Sequence, residues 1–298
     1  MRSAWLVGAG ILASRLAGLV RLRAFAHYFG LQSDAADAFT AAFRIPNLLQ
    51  NLFGEGALSG SFIPVYAALV ARGDRALADR VASAVATLLA LMVSVLVALG
   101  VATAPWLVDA VAPGFTGEKR DLTVALVRVL FPGAGLLVLS AWCLGVLNSH
   151  ERFLLSYLAP VVWNASMIAT LLFFGPRSSL SQLAVWLAWG SVAGSALQFA
   201  VQLPSVWLVA PDVRLSLGAL SDDVRTVVRN FVPVFISRGV VQVSAYVDTL
   251  LASLLPTGAV AALSNVQLLY TLPVSLFGMS VSAAELPAMS GEAASRSN

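Results

Sequence analysis

Charge is scarce in this sequence. Only 11% of its 298 residues are Asp, Glu, Lys or Arg, against roughly 25% in an average soluble domain, so a water-facing surface cannot be assembled from it. One cysteine, Cys143, sits inside an apolar run, which excludes a disulfide framework and a cysteine-based metal cluster. The two histidines, His27 and His150, give no metal pair. There is no Walker lysine, and Gly8-Ala9-Gly10 lacks the strand-and-helix context of a dinucleotide fingerprint. The Asp-rich magnesium motifs that membrane-embedded transferases of polyprenyl phosphates need are missing as well. Catalysis therefore has little support. A net charge of +3 and a pI near 9.4 do not mark a nucleic-acid binder, because the basic residues are scattered among helix ends and loops.

What is present is apolar length. Hydrophobic residues make up 59% of the chain and the mean hydropathy is +0.85. Apolar runs of roughly 20 to 30 residues recur throughout, long enough to cross a hydrocarbon core of roughly 30 Å as helices. They predict helices near 4–29, 35–70, 82–112, 123–147, 153–175, 183–209, 227–255 and 258–289. The fold class is thus an all-α polytopic membrane protein of about eight transmembrane helices. The first run carries Arg15, Arg21 and Arg23 and has no small-residue cleavage site, so it reads as a retained helix rather than a signal. The second is too long for one span and holds Pro46, Gly54, Gly56, Gly60 and Pro64, which predicts a break near Gly54 to Gly60. Most Trp and Tyr residues, including Trp5, Tyr28, Trp106, Trp142, Trp186 and Trp207, suit interfacial belts, with Trp163 a core candidate.

Orientation follows from the basic residues. With a cytoplasmic N-terminus, Arg2, Arg72, Arg75, Arg80, Arg152, Arg214, Arg225, Arg229 and Arg296 fall inside, and only Lys119, Arg120 and Arg177 outside. That bias puts both ends in the cytoplasm, as an even helix count requires. The chain also repeats itself: Ala13-Ser14-Arg15 is echoed by Ile236-Ser237-Arg238, Leu52-Phe53-Gly54 by Leu276-Phe277-Gly278, and Pro64 by Pro287. Helices one and two therefore correspond to seven and eight, giving one complete six-helix lobe plus the first two helices of a parallel second repeat. The expected division is 1–210 for the N-terminal lobe and 211–230 for a cytoplasmic linker with an amphipathic segment. The opening pair of the second lobe follows at 231–290, and a polar tail at 291–298. A complete second lobe would need about four more helices, so the sequence reads as truncated or naturally reduced.

Ionisable side chains inside such helices need a reason, since a mid-membrane Arg or Asp costs roughly 2.5–3.5 kcal/mol on insertion scales. Asp34, Asp109, Arg128 and Glu285 lie near predicted helix ends and suit topology or capping. Arg15 lies deep in the first span, with Arg21 six residues on, about 9 Å along the axis and 120° around it. Arg44 and Arg238 add cations from the second and seventh helices. Two readings are open: these arginines line an anion cavity between the lobes, or they pair with Asp37, Glu55 or Asp248 and fasten helices together. Guanidinium groups match phosphate or carboxylate oxygens in bidentate fashion and stay charged at any cellular pH. Asp248 is either a counter-ion to Arg238 or a ligand for a coupling cation.

Several of these stretches resemble the MurJ/MviN family, the lipid II flippases of bacterial cell-wall synthesis within the multidrug/oligosaccharidyl-lipid/polysaccharide exporter superfamily. They include Ser14-Arg15 through Gly18 and Arg21, Asp37-Ala38-Phe39, Phe43-Arg44-Ile45-Pro46-Asn47-Leu48-Leu49, Glu55-Gly56-Ala57 and Phe62-Ile63-Pro64. Ala104-Pro105-Trp106, Ala112-Pro113-Gly114-Phe115 and Gln202-Leu203-Pro204 carry the likeness further along. The resemblance implies a fourteen-helix transporter, of which this chain holds the first eight. It implies a multi-pass protein of the bacterial cytoplasmic membrane, monomeric and among membrane lipids, that exports undecaprenyl-pyrophosphate-linked disaccharide-pentapeptide, lipid II, by alternating access. It further implies pyrophosphate contacts from Arg15, Arg21 and Arg44 and support from Asn47 and Asp37. No cofactor is implied beyond a coupling sodium ion or the membrane potential, with Asp248 resembling a sodium-binding acid. Departures from the family pattern are Leu22 where an acid often follows the second arginine, Gln50 for an arginine, and Gln267-Leu268 for an Asp-Arg pair. Arg238 is the candidate replacement cation. Competing readings are a drug or polysaccharide-lipid exporter of the same superfamily, and a non-transporting relative.

Overall fold

Helix starts are set by side chains that accept the orphan N–H groups of the first turn. The Ser33 hydroxyl accepts from Ala36 N at 3.1 Å, Asp74 from Leu77 N at 3.1 Å and Ser221 from Val224 N at 3.3 Å. Ser179 and Gln182 cap reciprocally. Each cap contributes about 1 kcal/mol, and each fixes where an apolar run becomes a helix. The computed structural model describes residues 2–30, 32–214 and 221–267, with the side chains of residues 2–9, 55, 241 and 245 outside that description.

Within them the order is α1 (Arg2–Phe29), α2 (Asp34–Phe53), α3 (Glu55–Ala71), α4 (Arg75–Ala102), α5 (Ala104–Val111), α6 (Gly117–Ser149), α7 (Phe153–Phe174), a 3₁₀ turn (Gly175–Arg177), α8 (Leu180–Val209) and α9 (Asp222–Ser253). A further helix, α10, occupies residues 259–267. Among the described residues every regular element is helical. Six segments are long and apolar enough to cross a membrane: Asp34–Ala71, Arg75–Ala102, Gly117–Ser149, Phe153–Arg177, Leu180–Val209 and Asp222–Ser253. The chain is therefore a multi-pass membrane protein. At 28 residues α1 is also long enough, about 42 Å, but carries four arginines, Arg2, Arg15, Arg21 and Arg23. The expected eighth span is described only as far as residue 267; Leu268, Leu276-Phe277-Gly278, Glu285, Pro287 and the tail lie outside the described residues.

The expected break in the second span falls at Gly54, between α2 and α3. Gly54 N donates to Gln50 O at 2.8 Å, and a Cβ there would overlap that same carbonyl, so the turn closes only on glycine. The third span differs from expectation in two ways. It starts at Arg75 instead of 82 because Asp74 caps it, and it divides at Thr103, where Pro105 opens the short α5. Proline is tolerated in a helix's first turn, where its missing N–H has no intrahelical partner. Likewise α9 begins at Asp222 instead of 227, on the Ser221 cap.

α6 is the central helix, packed against α2, α3, α4, α7 and α8. Its Leu126, Val127, Val138, Cys143, Val146 and Leu147 are buried with Phe62 and Tyr66 of α3, Val81 of α4, and Leu183 and Leu187 of α8. Trp142 corrects an expectation: it is 5% exposed and belongs to this core, not to an interfacial belt, because the 140–147 stretch of α6 is buried throughout. Trp106, at 73% exposure, faces outward as expected. After α8 the chain stays docked. Ala210 is buried, Asp212 N donates to Asp79 Oδ2 at 3.4 Å, and Arg214 N donates to Ser83 Oγ at 3.1 Å.

His150, in the turn between α6 and α7, shares a hydrogen bond with the Tyr66 hydroxyl at 3.0 Å. Burial lowers its imidazole pKa below the ordinary value, partly offset by Asp79. The unfolded chain then takes up a proton, near the model-peptide value of about 6.5, that the folded chain resists. Stability is accordingly expected to fall as the pH drops below about 6.5 and to level off beneath the folded pKa, with His150→Gln flattening that slope in pH-dependent thermal melts. A second expectation concerns Gly114, in the turn before α6, where a Cβ would overlap the Ser253 carbonyl at the end of α9. Gly114→Ala should cost about 1–3 kcal/mol through this forced overpacking, read as a lower melting temperature.

Candidate functional site

Arg21 lies where α1 crosses α2 and α7. Its guanidinium carbon stands 4.8 Å from the Trp163 ring centroid and 6.0 Å from that of Phe43, and Nη1 lies 3.7 Å from the Met167 sulfur. Trp163 is held in turn by donation from its indole N–H to Ser191 Oγ at 3.2 Å. Aromatic faces attract a cation without neutralising it. The Arg21 Nε is buried and has no hydrogen-bond partner, an arrangement that costs free energy unless an acceptor arrives.

Arg44, on α2, donates from Nη1 to the Thr249 hydroxyl of α9 and from Nη2 to Gln267 Oε1 of α10 at 2.7 Å. Gln267 Nε2 donates onward to Asp248 Oδ2 at 2.9 Å. A neutral amide therefore bridges Arg44 and the carboxylate. The Tyr246 hydroxyl donates to Arg44 O at 3.0 Å, tying α9 to the α2 backbone beside the Pro46 kink.

Arg21 and Arg44 face one cavity of about 330 Å³. Asn47, Thr40, Ser264 and Asn265 add polar groups to its wall, while Phe25, Phe39, Phe43, Met167, Leu171 and Leu187 make the rest apolar. The cavity thus lies between the first lobe and the start of α10. Among the described residues its lining is two guanidinium groups with hydroxyl, amide and apolar side chains. Such a chamber suits an anion carrying more than one charge, joined to an apolar group.

Asp37 lies in the first turn of α2, outside the lining of this cavity, and its carboxylate is almost wholly enclosed. Lys119, the chain's one lysine, meets Asp37 Oδ2 at 2.8 Å and Asp34 Oδ1 at 3.0 Å, with its ammonium 4.3 Å from the Phe115 ring centroid. Asp37 also accepts from Gly258 N at 2.7 Å and Ala261 N at 2.9 Å. These N–H groups open α10, so α2 supplies the cap for a helix that follows 221 residues later. Carboxylate and helix N-terminus attract each other through the macrodipole. Thr257 reinforces the junction by donating to Asp34 Oδ1 at 3.0 Å.

The structure thus brings Arg21, Arg44 and Asn47 to one cavity, connects Asp248 to Arg44 through Gln267, and leaves Asp37 outside that lining, at the junction of α2, α6 and α10. Asp37 pairs with Lys119 rather than with an arginine, and Asp248 with Gln267 rather than with Arg238. Arg15, six residues before Arg21, is partly exposed and is not part of this cavity's lining. Arg238 lines separate cavities beside Gly56. Glu55 opens α3, and its side chain lies outside the described residues. The described residues hold no cluster of His, Cys, Asp and Glu suited to a metal ion. Sequence reasoning missed Lys119, Thr249 and Gln267 as site residues. The signal for Lys119 was its isolation as the sole lysine beside an aromatic; Gln267 had none.

The described residues form an all-helical multi-pass membrane bundle with one cavity lined by two arginines. The bundle superposes on a crystal structure described as MATE in complex with MaD3S with a TM-score of 0.62, at 17% identity, over 82% of this chain and 55% of that one. Similarity is greater to a solved structure described as lipid II flippase MurJ in an inward closed conformation. There the TM-score is 0.80 at 26% identity, covering 98% of this chain and 59% of that one. The family profile described as lipid II flippase MurJ matches residues 25–298. The lipid II flippase MurJ of Burkholderia cenocepacia is 35% identical over 94% of this chain and 55% of its own length. The probable lipid II flippase MurJ of Bdellovibrio bacteriovorus is 34% identical over 97% and 55%. The chain belongs to the lipid II flippase MurJ family. It spans about half the length of the curated relatives it matches.

Removing Asp37 leaves Lys119 beside Asp34 alone and uncaps α10. Breaking a buried pair of this kind costs about 3–5 kcal/mol, so Asp37→Ala should open the contact between α2 and α10. The expected readout is faster hydrogen exchange at the Gly258 and Ala261 amides, with exchange in the α6 core unchanged.

Proposed function

We propose that this chain forms the substrate-binding lobe, and the opening of the second lobe, of a flippase for lipid-linked peptidoglycan precursor in the bacterial inner membrane. The observation that carries this is the convergence of Arg21 and Arg44 on one cavity, with the Arg21 guanidinium set against two aromatic rings and a thioether. The pyrophosphate of lipid II would enter there, and its oxygens would satisfy the Arg21 Nε. Apolar walls from Phe39, Phe43, Met167 and Leu171 accommodate the adjoining non-polar part of the substrate. No covalent step is involved; this is a transporter, not an enzyme.

Alternating access fits the way the Asp37 junction is built. The Asp37 cap and the Lys119 ion pair hold α2, α6 and α10 together, and both are polar contacts that water replaces when the lobes part. The Arg44–Gln267–Asp248 chain gives a route by which a cation at Asp248 would compete for the Gln267 amide and so alter Arg44, with sodium or the membrane potential as the driving force. The N-terminus is assigned to the cytoplasm by the distribution of basic residues.

The test is complementation of bacteria depleted of their own lipid II flippase, scoring growth and the appearance of lipid II at the outer face. Rescue is expected. Arg44→Ala should lower flipping at least about tenfold, the loss of one charge-assisted bidentate contact. Full rescue by an Arg21→Ala/Arg44→Ala double variant would overturn the pyrophosphate assignment.

A further inference from the structure

α3 presents Gly56 and Gly60, one turn apart, to Val234 and Arg238 of α9, also one turn apart. A Cβ on Gly60 would come within 2.9 Å of Val234 Cγ2, and one on Gly56 would overlap the Arg238 guanidinium. The head group of Arg238 therefore lies directly against the α3 backbone, on a ledge that glycine leaves open. Arg238 is exposed and makes no ion pair among the described residues. On one side of it is a cavity of about 400 Å³ lined by Gln50, Asn51 and Ser59. Asn51 Nδ2 donates across to Gln242 Oε1 of α9 at 3.0 Å, which ties the two helices beside it.

This chamber is not the one that holds Arg44. Six residues of α2 separate Arg44 from Gln50, about 9 Å of helical rise, and the two linings share no residue. Its chemistry differs too. The first cavity has two cations and largely apolar walls; here a single forked cation is surrounded by two amides and a hydroxyl. One guanidinium matches one carboxylate in bidentate geometry, whereas a diphosphate is better met where two cations converge. Amides and a hydroxyl beside it complement sugar hydroxyls and peptide groups.

We propose that Arg238, with Gln50, Asn51 and Ser59, forms a second subsite that binds a carboxylate on the hydroxyl- and amide-rich headgroup of the substrate. Recognition then takes place at two points, the diphosphate at Arg21 and Arg44 and the carboxylate of the headgroup farther along α2. This rests on the reading given under Proposed function and adds to it what selects one lipid-linked diphosphate from another.

The test measures binding of two lipids to the chain in nanodiscs by thermophoresis: lipid II with its pentapeptide, and undecaprenyl pyrophosphate without sugar or peptide. Arg238→Gln is expected to weaken lipid II binding about tenfold, the scale of one charged bidentate contact, and to leave undecaprenyl pyrophosphate within about twofold. Gly56→Ala retains the charge but displaces it, and should reproduce that selective loss. Arg238→Lys should recover part of the affinity, which separates a lost contact from a misfolded chain. Equal weakening of both lipids by Arg238→Gln would place Arg238 in the diphosphate clamp and overturn the proposal, as would no effect on either. If Arg44→Gln leaves both lipids unaffected while Arg238→Gln weakens lipid II selectively, the diphosphate assignment fails and the carboxylate subsite stands.

Discussion

Moving a guanidinium or an ammonium into a bilayer costs several kcal/mol unless something in the protein replaces water, and this chain meets that requirement differently at each position. Lys119 is neutralised outright by Asp34 and Asp37. Arg21 rests on aromatic faces and a methionine sulfur. Arg44 is hydrogen-bonded to neutral groups, and Arg238 opens onto a cavity over a glycine ledge. The four cations thus meet four kinds of partner: carboxylates, aromatic rings with a thioether, neutral hydrogen-bonding groups, and a backbone ledge.

This division explains why the site is built where α2 breaks and bends. Pro46 and Gly54 interrupt one long apolar stretch, so that Asp37, Arg44 and Gln50 lie on a single helix yet meet three different surroundings. Asp37 reaches the start of α10, Arg44 reaches α9 and α10, and Gln50 faces Arg238. One helix thereby carries the Asp37 junction, the cavity lined by Arg44 and the amide-lined cavity in order along its axis. The backbone hydrogen bonds that a membrane demands are retained throughout, because Gly54 N still donates to Gln50 O across the break.

Much of the fold was legible in the residues. Apolar length predicted the spans, and proline and glycine placed the α2–α3 break. The boundaries that differed, at Arg75, Thr103 and Asp222, were set by caps and by Pro105, local signals that an apolar run does not register. For the site, the part-burial of Arg21 and Arg44 followed from their positions in apolar runs, whereas the enclosure of Asp37, in the first turn of α2, did not. Nor did their partners. Lys119 reads from sequence as an outer-loop charge that sets topology; only folding brings it to Asp37, 82 residues away. Gln267 reads as a lost charge, yet it bridges Arg44 and Asp248.

The sequence by itself determined that this chain spans a membrane, where its helices run, and that its arginines must be accommodated within them, because hydrophobicity and backbone propensity act over neighbouring residues. Tertiary structure alone decided which cations are neutralised and which remain to line a cavity. Ion pairs, ring contacts and caps depend on distances of about 3–6 Å between helices far apart in the chain, and nothing in the local pattern encodes that proximity. Arg15 and Arg238 make the point: equivalent in the repeat, they come to rest in different surroundings because the helices packed against them differ.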